Sequence, residues 1–314
     1  MLKLKVASPD VAKQHLETLG KRFDEAMSAW KSPFAGYPPF TSDLKRVLQS
    51  ERDFILVGDV SRLHKVIQQV KHKAGPLDHY LRNRPSAKSG VRQADMEKLI
   101  TKLGEIFDYS KFIYKGVGWN AYKLVGSYSL RICPYCHLHH VNYHGQKAGD
   151  PKKLELRPPL DHFLPKSIYP YLAVSLYNLV PSCHQCNSSI KGDEDPSETM
   201  PHPFDTSVAL DMSFTLKGSP LGIAGVTHEE LGLTVTGNST WDEFATFFHL
   251  QERYQWYAPE VTDMLKRKQF RDESDTVVQS LMRADFILGF DPLDYEKRAL
   301  GICLRDIARR QGVL

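Results

Sequence analysis

No stretch of this 314-residue chain approaches the roughly 18 consecutive apolar residues that a membrane-spanning helix needs. The opening run, MLKLKVASPD, has no apolar core of the kind a secretory signal carries, so a reducing cytoplasm is the expected setting. There is no internal repeat and no low-complexity segment, which excludes solenoid and linker architectures. Charge of one sign is not in large excess either: the net is +4, too little by itself to mark a polyanion binder. Cysteine is scarce, with five residues in all, too few for a disulfide framework in a chain of this length. What remains is an ordinary globular composition, 41% hydrophobic and 25% charged, with ample material for a core.

The scarce cysteines are not scattered. Four of the five form two C-x-x-C pairs, Cys133-Pro134-Tyr135-Cys136 and Cys183-His184-Gln185-Cys186. In a reducing compartment such pairs bind metal more often than they form disulfides, and four thiolates match a tetrahedral structural zinc. About 46 residues separate the pairs, whereas a plain zinc ribbon has roughly 15–20. Something is therefore built between the knuckles. The polar residues there are Asp161-His162-Phe163-Leu164-Pro165-Lys166 and Asn178-Leu179, and Cys186-Asn187-Ser188-Ser189-Ile190-Lys191 follows directly. The fifth cysteine, Cys303, lies in the apolar run LGICLRDI and reads as a buried helix residue.

This order of elements resembles the HNH (ββα-metal) endonucleases, in the variety clamped by four cysteines. The resemblance covers about 60 of the 314 residues. It implies an α+β, mostly helical protein whose zinc-stapled ββα, treble-clef-like core is flanked by helical lobes. It also implies phosphodiester hydrolysis. His162 would be the general base, because imidazole is half-deprotonated near neutral pH. Asp161, next to it on the strand, would point to the opposite side and ligate a divalent cation. Asn187 would supply the second protein ligand through its amide oxygen. Both are hard oxygen donors, suited to Mg²⁺ or Mn²⁺ rather than zinc. Asn178 would fix the loop and so the His162 ring. Lys191, with Lys166 as a weaker candidate, would hold phosphate. The third motif position holds Asn187 where many relatives have His, so metal binding should be weak and completed by substrate. Zinc itself, on Cys133, Cys136, Cys183 and Cys186, would be structural. A zinc knuckle without chemistry is the alternative to all of this.

Charge is distributed unevenly. Residues 1–130 carry 22 Lys/Arg against 13 Asp/Glu, and residues 201–314 carry 12 against 17. A basic face for DNA backed by an acidic lobe for a protein partner would give this, and so would solvated helical surfaces. The segment 82–92, RNRPSAKSGVR, reads as a basic loop, either a phosphate contact or a solvated linker. His137, His139, His140 and His144 cluster behind the first knuckle; alternation on a hairpin or a solvent-facing turn accounts for them, with a second metal site as the alternative.

Local signals fill in the rest. Ser8-Pro9-Asp10 starts a helix with an apolar face at Leu16, Leu19, Phe23, Met27 and Trp30. Further helices are expected from Thr41, from Asp59 and around Met96–Phe107. The aromatic run Tyr114, Trp119, Tyr122, Tyr128 reads as core. Residues 206–236 alternate in part and suggest a strand pair. Helices are then expected from the capping box at Thr240-Trp241-Asp242-Glu243, from Pro259 and from Asp291 through Ile307.

The expected organisation is a basic helical lobe over 1–115, the nuclease core over 116–205 and an acidic, mostly helical lobe over 206–314. The expected substrate is DNA, with RNA left open, and shape-based backbone contacts should dominate because no recognition helix or RNA-binding motif is present. The layout is also similar to the HNH subunits that bacteria pair with an ATPase in anti-phage defence, the PtuB-like proteins. That similarity implies an ATPase partner docking on the C-terminal lobe. The alternative is a non-catalytic, zinc-dependent nucleic-acid-binding or adaptor protein.

Overall fold

A computed structural model describes residues 3–31, 34–83, 92–114, 116, 118–145, 154–196, 200–205, 207–217 and 231–314. The protein is α+β and mostly helical, with two small antiparallel sheets. None of the described helices is long and apolar enough to cross a membrane.

The amino-terminal third is a stack of helices. α1 (Pro9–Ala29) starts where the sequence requires: the Ser8 hydroxyl accepts from Val11 N, proline fills the first turn, and Asp10 faces the positive dipole end. Its buried stripe of Leu19, Phe23 and Met27 packs against α3 (Arg52–Val57) and α6 (Gln93–Ile106). α2 (Thr41–Ser50) and α4 (Val60–Lys73) match the apolar spacing, and Asp59 caps α4 by accepting from Arg62 N at 2.8 Å. Four short helices carry too few turns for a periodic signal: α3, α5 (Gly75–Arg82), α7 (Tyr109–Ile113) and α8 (Ala121–Ser127). In the aromatic run, Trp119 and Tyr122 are core, but Tyr114 is 75% exposed. Most of the basic loop, residues 84–91, lies outside the described residues.

The centre is a hairpin and a helix. β1 (Leu160–His162) pairs antiparallel with β2 (Leu179–Pro181), placing Asp161 opposite Val180 and His162 opposite Leu179. The chain then turns through the second knuckle into a helix over Gln185–Lys191, wound wider than an α-helix, which Gly192 ends at φ +51°.

Beyond it, β3 (Met212–Lys217) and β4 (Gly232–Gly237) form the expected strand pair. α9 (Ser239–Phe247) begins two residues earlier than the Thr240 capping box suggests, because Asn238 is the cap and its side chain accepts from Trp241 N. α10 (Leu250–Gln255), α11 (Ala258–Glu273), α12 (Thr276–Leu281) and α13 (Ala284–Leu288) follow. The expected last helix is broken. A 3₁₀ segment spans Pro292–Lys297, Leu300 turns left-handed at φ +60°, and α14 (Gly301–Arg310) carries the buried Cys303.

One apolar cluster runs from Leu4 to Val313 and includes all four knuckle cysteines. The carboxy-terminal segment reaches the first knuckle directly at two points. The Tyr254 hydroxyl donates to Cys136 O at 2.8 Å, and Leu300 N donates to His137 O at 3.0 Å. The central loop packs against α3 at Pro170–Leu172 and Leu176–Asn178, and against α6 at Pro170–Leu172.

Candidate metal centre and polar cleft

The two knuckles meet. Their four sulfurs lie within 4.8 Å of one another and all four cysteines are buried. With Zn–S bonds of about 2.3 Å, tetrahedral geometry sets sulfurs about 3.8 Å apart, and Cys136 Sγ and Cys183 Sγ are separated by 3.9 Å. Backbone N–H groups of Leu138, Cys183 and Cys186 point at Cys136, Cys133 and Cys183 sulfurs at 3.3–3.4 Å. Such donors stabilise thiolate charge, as outer-shell partners of a metal site do. Arg253 on α10 adds a cation, with a guanidinium nitrogen 3.4 Å from Cys186 Sγ. Burial opposes the Arg253 charge, but the sulfurs of Cys186 and Cys136 more than offset it and hold its pKa above the usual value. Donor type, spacing and electrostatics thus fit a closed four-thiolate metal such as zinc.

The histidines behind the first knuckle are not a solvent-facing turn throughout. His137 is fully buried at φ +55°, just after Cys136, where the reversal of the knuckle puts a left-handed residue. His140 is exposed and His139 half-buried. His184 in the second knuckle is exposed.

Next to the metal centre is an open cleft of about 390 Å³. Asp161 and His162 from β1, Lys166 from the loop, and Asn187 and Ser188 from the knuckle helix all line it. Four of the residues singled out in the sequence therefore converge on one cavity. Asn178 lies behind it, fully buried. Its Oδ1 accepts from Leu164 N at 2.7 Å, and its Nδ2 donates to Leu164 O at 3.0 Å and Leu172 O at 3.1 Å. One amide thus pins both ends of the loop that covers His162.

The imidazole of His162 is held in one orientation. Its Nε2 is 2.8 Å from Ala173 O, and since a carbonyl only accepts, Nε2 must carry the proton. Nδ1 is then the atom left with a lone pair. Burial, opposed by the bond to Ala173, lowers the His162 pKa to about 4, so the ring is neutral at pH 7. The Tyr109 ring meets it edge-on at 4.5 Å, and the exposed Lys166 ammonium lies 5.2 Å from the Tyr109 ring centre.

Asp161 differs from the expectation in its surroundings. It is 2% exposed, and both carboxylate oxygens already have partners: Tyr135 Oη donates to Oδ2 at 2.6 Å, and Lys191 Nζ lies 3.4 Å from Oδ1. Burial raises its pKa, and Lys191 and Tyr135 oppose the rise. Lys191, expected to touch phosphate, is instead 1% exposed and donates to His162 O at 2.7 Å. It is an internal counter-ion, and its ammonium has no free path to a substrate. Asn187 is half-buried, with Nδ2 3.4 Å from Ser188 Oγ.

Hard oxygen donors at Asp161 and Asn187 fit Mg²⁺ or Mn²⁺ in type. With Asp161 already neutralised by Lys191, the pair makes a weak site for a cation.

Three cleft residues carried no sequence signal. Arg157 is half-buried; it donates to Pro158 O at 2.9 Å, stacks over Tyr122 at 5.4 Å, and pairs with no carboxylate among the described residues. Asp193 is exposed on the rim. Tyr109 donates to Leu160 O at 3.3 Å, and burial pushes its pKa up to about 12. Only proximity in space joins them to the motif.

Comparison with protein-family models, curated proteins and solved structures finds no match to this chain.

Proposed function

We propose that the protein is an HNH-type, divalent-metal-dependent endonuclease whose general base is His162. The observation that carries this reading is the shared cleft: a buried imidazole of one tautomer, its Nδ1 free, beside a carboxylate and a carboxamide on an adjoining helix. Phosphodiester hydrolysis needs a water deprotonated next to phosphorus, and a neutral imidazole held by its far nitrogen suits that task. A pKa of about 4 makes His162 a weak base in the free protein. An anionic phosphate in the cleft acts in the opposite sense and raises it.

Asp161 and Asn187 would hold the Mg²⁺ or Mn²⁺, which when bound supplies Lewis-acid stabilisation of the phosphate and the leaving oxygen. The four-cysteine centre holds the hairpin against the helix and has no open position for water, so zinc there is structural. Asn178 orients the loop. Lys166 and Arg157 are the cations placed to hold phosphate from the open side. DNA is the proposed substrate, contacted through its backbone. Exposed apolar side chains on α11 to α13, among them Phe270, Val277, Leu281 and Phe286, support a protein-docking role for the C-terminal lobe. The ATPase of an anti-phage defence pair is the partner that the resemblance implies.

The competing reading is a zinc-dependent nucleic-acid-binding protein without catalysis. Incubation with plasmid or single-stranded DNA in Mg²⁺ or Mn²⁺ separates the two: wild type cuts, and His162→Ala keeps its zinc but does not.

A further inference from the structure

Three consecutive carbonyls in the loop between β1 and β2 each accept from a buried side chain. Leu172 O accepts from Asn178 Nδ2 at 3.1 Å, and Ala173 O from His162 Nε2 at 2.8 Å. Val174 O accepts from His15 Nε2 at 2.8 Å. The first two donors belong to the motif already described. The third comes from α1, in the amino-terminal helical stack, and no chemistry has yet been assigned to it.

His15 is held as firmly as His162. A carbonyl fixes the proton on Nε2, so Nδ1 is bare, and Trp119 Nε1 donates to it at 3.1 Å. The residue is fully buried, with Phe112 edge-on at 5.5 Å and Trp119 at 6.2 Å between ring centres. Both ring nitrogens are used and only one tautomer satisfies both. A leucine would fill the same space without the desolvation penalty of an imidazole. The bonds to Val174 and Trp119 are what a histidine adds there.

Val174 follows Ala173, so the Ala173 carbonyl belongs to the peptide plane that ends at Val174 N. Anchoring the next carbonyl fixes the plane on the far side of the Val174 Cα, so the Ala173 plane can tilt only by turning Val174 φ against a held neighbour. We infer that His15 is a positioning residue for the general base: through Val174 it fixes the Ala173 carbonyl, which in turn sets the tautomer and ring plane of His162. This rests on reading His162 as the base, but its structural half can be measured without that reading. It also makes the amino-terminal stack part of the active-site frame.

The test uses the full-length, zinc-loaded protein with ¹⁵N-labelled histidine, and His162→Ala to assign the ring signals. In wild type, His162 should show a single Nε2–H tautomer. In His15→Leu it should become a mixture, with zinc retained, and kcat for DNA nicking should fall about tenfold or more while KM holds. His15→Gln, whose amide can donate to Val174 O and accept from Trp119, should restore both. If His15→Leu does not fold, Trp119→Phe takes its place, removing only the donor to Nδ1, and should also mix the His162 tautomers. A folded His15→Leu or Trp119→Phe protein with the His162 tautomer and kcat unaltered would overturn the inference. Tautomer mixing in a protein that never cuts DNA would support the coupling and remove the nuclease reading instead.

Discussion

Lys191 and Asp161 form a buried ion pair at the base of the cleft, Nζ to Oδ1 at 3.4 Å, with side chains 1% and 2% exposed. The same ammonium also holds His162 O, so one cation ties the two adjacent β1 residues to the end of the knuckle helix. Removing one partner of such a pair strands a charge in low dielectric. Lys191→Met should therefore destabilise the protein by roughly 3–5 kcal/mol, read as a fall in urea midpoint. Mn²⁺ should raise the melting temperature of the variant more than that of wild type, because the cation then replaces the missing charge beside Asp161. A variant as stable as wild type, and indifferent to Mn²⁺, would show that the pair has no such role.

The four-thiolate centre should behave all-or-none. Structural zinc contributes on the order of 10–16 kcal/mol of apparent folding energy in small zinc modules, so Cys183→Ser should lose the metal and the cooperative fold together. Zinc content by elemental analysis and helicity by circular dichroism should fall in parallel, and strong chelators should do the same to wild type. Full helicity in zinc-free protein would contradict this.

Asn178→Ala leaves Leu164 N, Leu164 O and Leu172 O without their partner. Unmet buried groups of this kind suggest a loss of roughly 2–4 kcal/mol. Asn178→Asp should rescue little, since a carboxylate accepts but cannot donate to the two carbonyls. Equilibrium unfolding of the two variants checks the ranking.

His15 and His202 are both buried, and burial lowers both pKa values, that of His15 to about 4. Between that value and the unfolded value of 6.5 the unfolded chain binds more protons, so stability falls as pH falls through this window. Above 6.5 neither group contributes a slope. For His15 the loss by pH 4 is about 3 kcal/mol. Urea midpoints measured from pH 7 to pH 4 should decline in wild type and decline less in His15→Gln.

Much of this was legible in the sequence because the signals were local or came in fixed order. Ser8 and Asp59 announce their helices by capping chemistry, and the alternation around Phe214 and Leu233 announces a strand pair. The knuckle cysteines announce a metal by spacing, and Asp161, His162 and Asn187 do converge on one cleft. What stayed hidden depends on distances across the chain. A lysine at the end of a short helix reads as a surface charge, and nothing nearby reveals that Lys191 turns inward to Asp161. Tyr135 lies between two cysteines that draw the eye, yet its hydroxyl is a partner of Asp161. Arg157 reaches the cleft from a stretch without periodicity. His15 occupies a helical face that looks apolar apart from it, where a buried histidine and an exposed one are indistinguishable. Leu300 breaks the last helix with a left-handed turn, and the glycine beside it, Gly301, stands one place too late to mark it.

The central claim is that the Nδ1 of His162 takes a proton from water attacking a phosphodiester. The most direct measurement is the nicking rate of supercoiled plasmid in Mn²⁺ by zinc-loaded wild type and by His162→Ala of equal zinc content and melting temperature. A positioned base is worth roughly 10²–10⁴-fold, and the variant should lose at least that lower figure. Cutting by His162→Ala at the wild-type rate, or a wild type that leaves every DNA substrate intact, would contradict it.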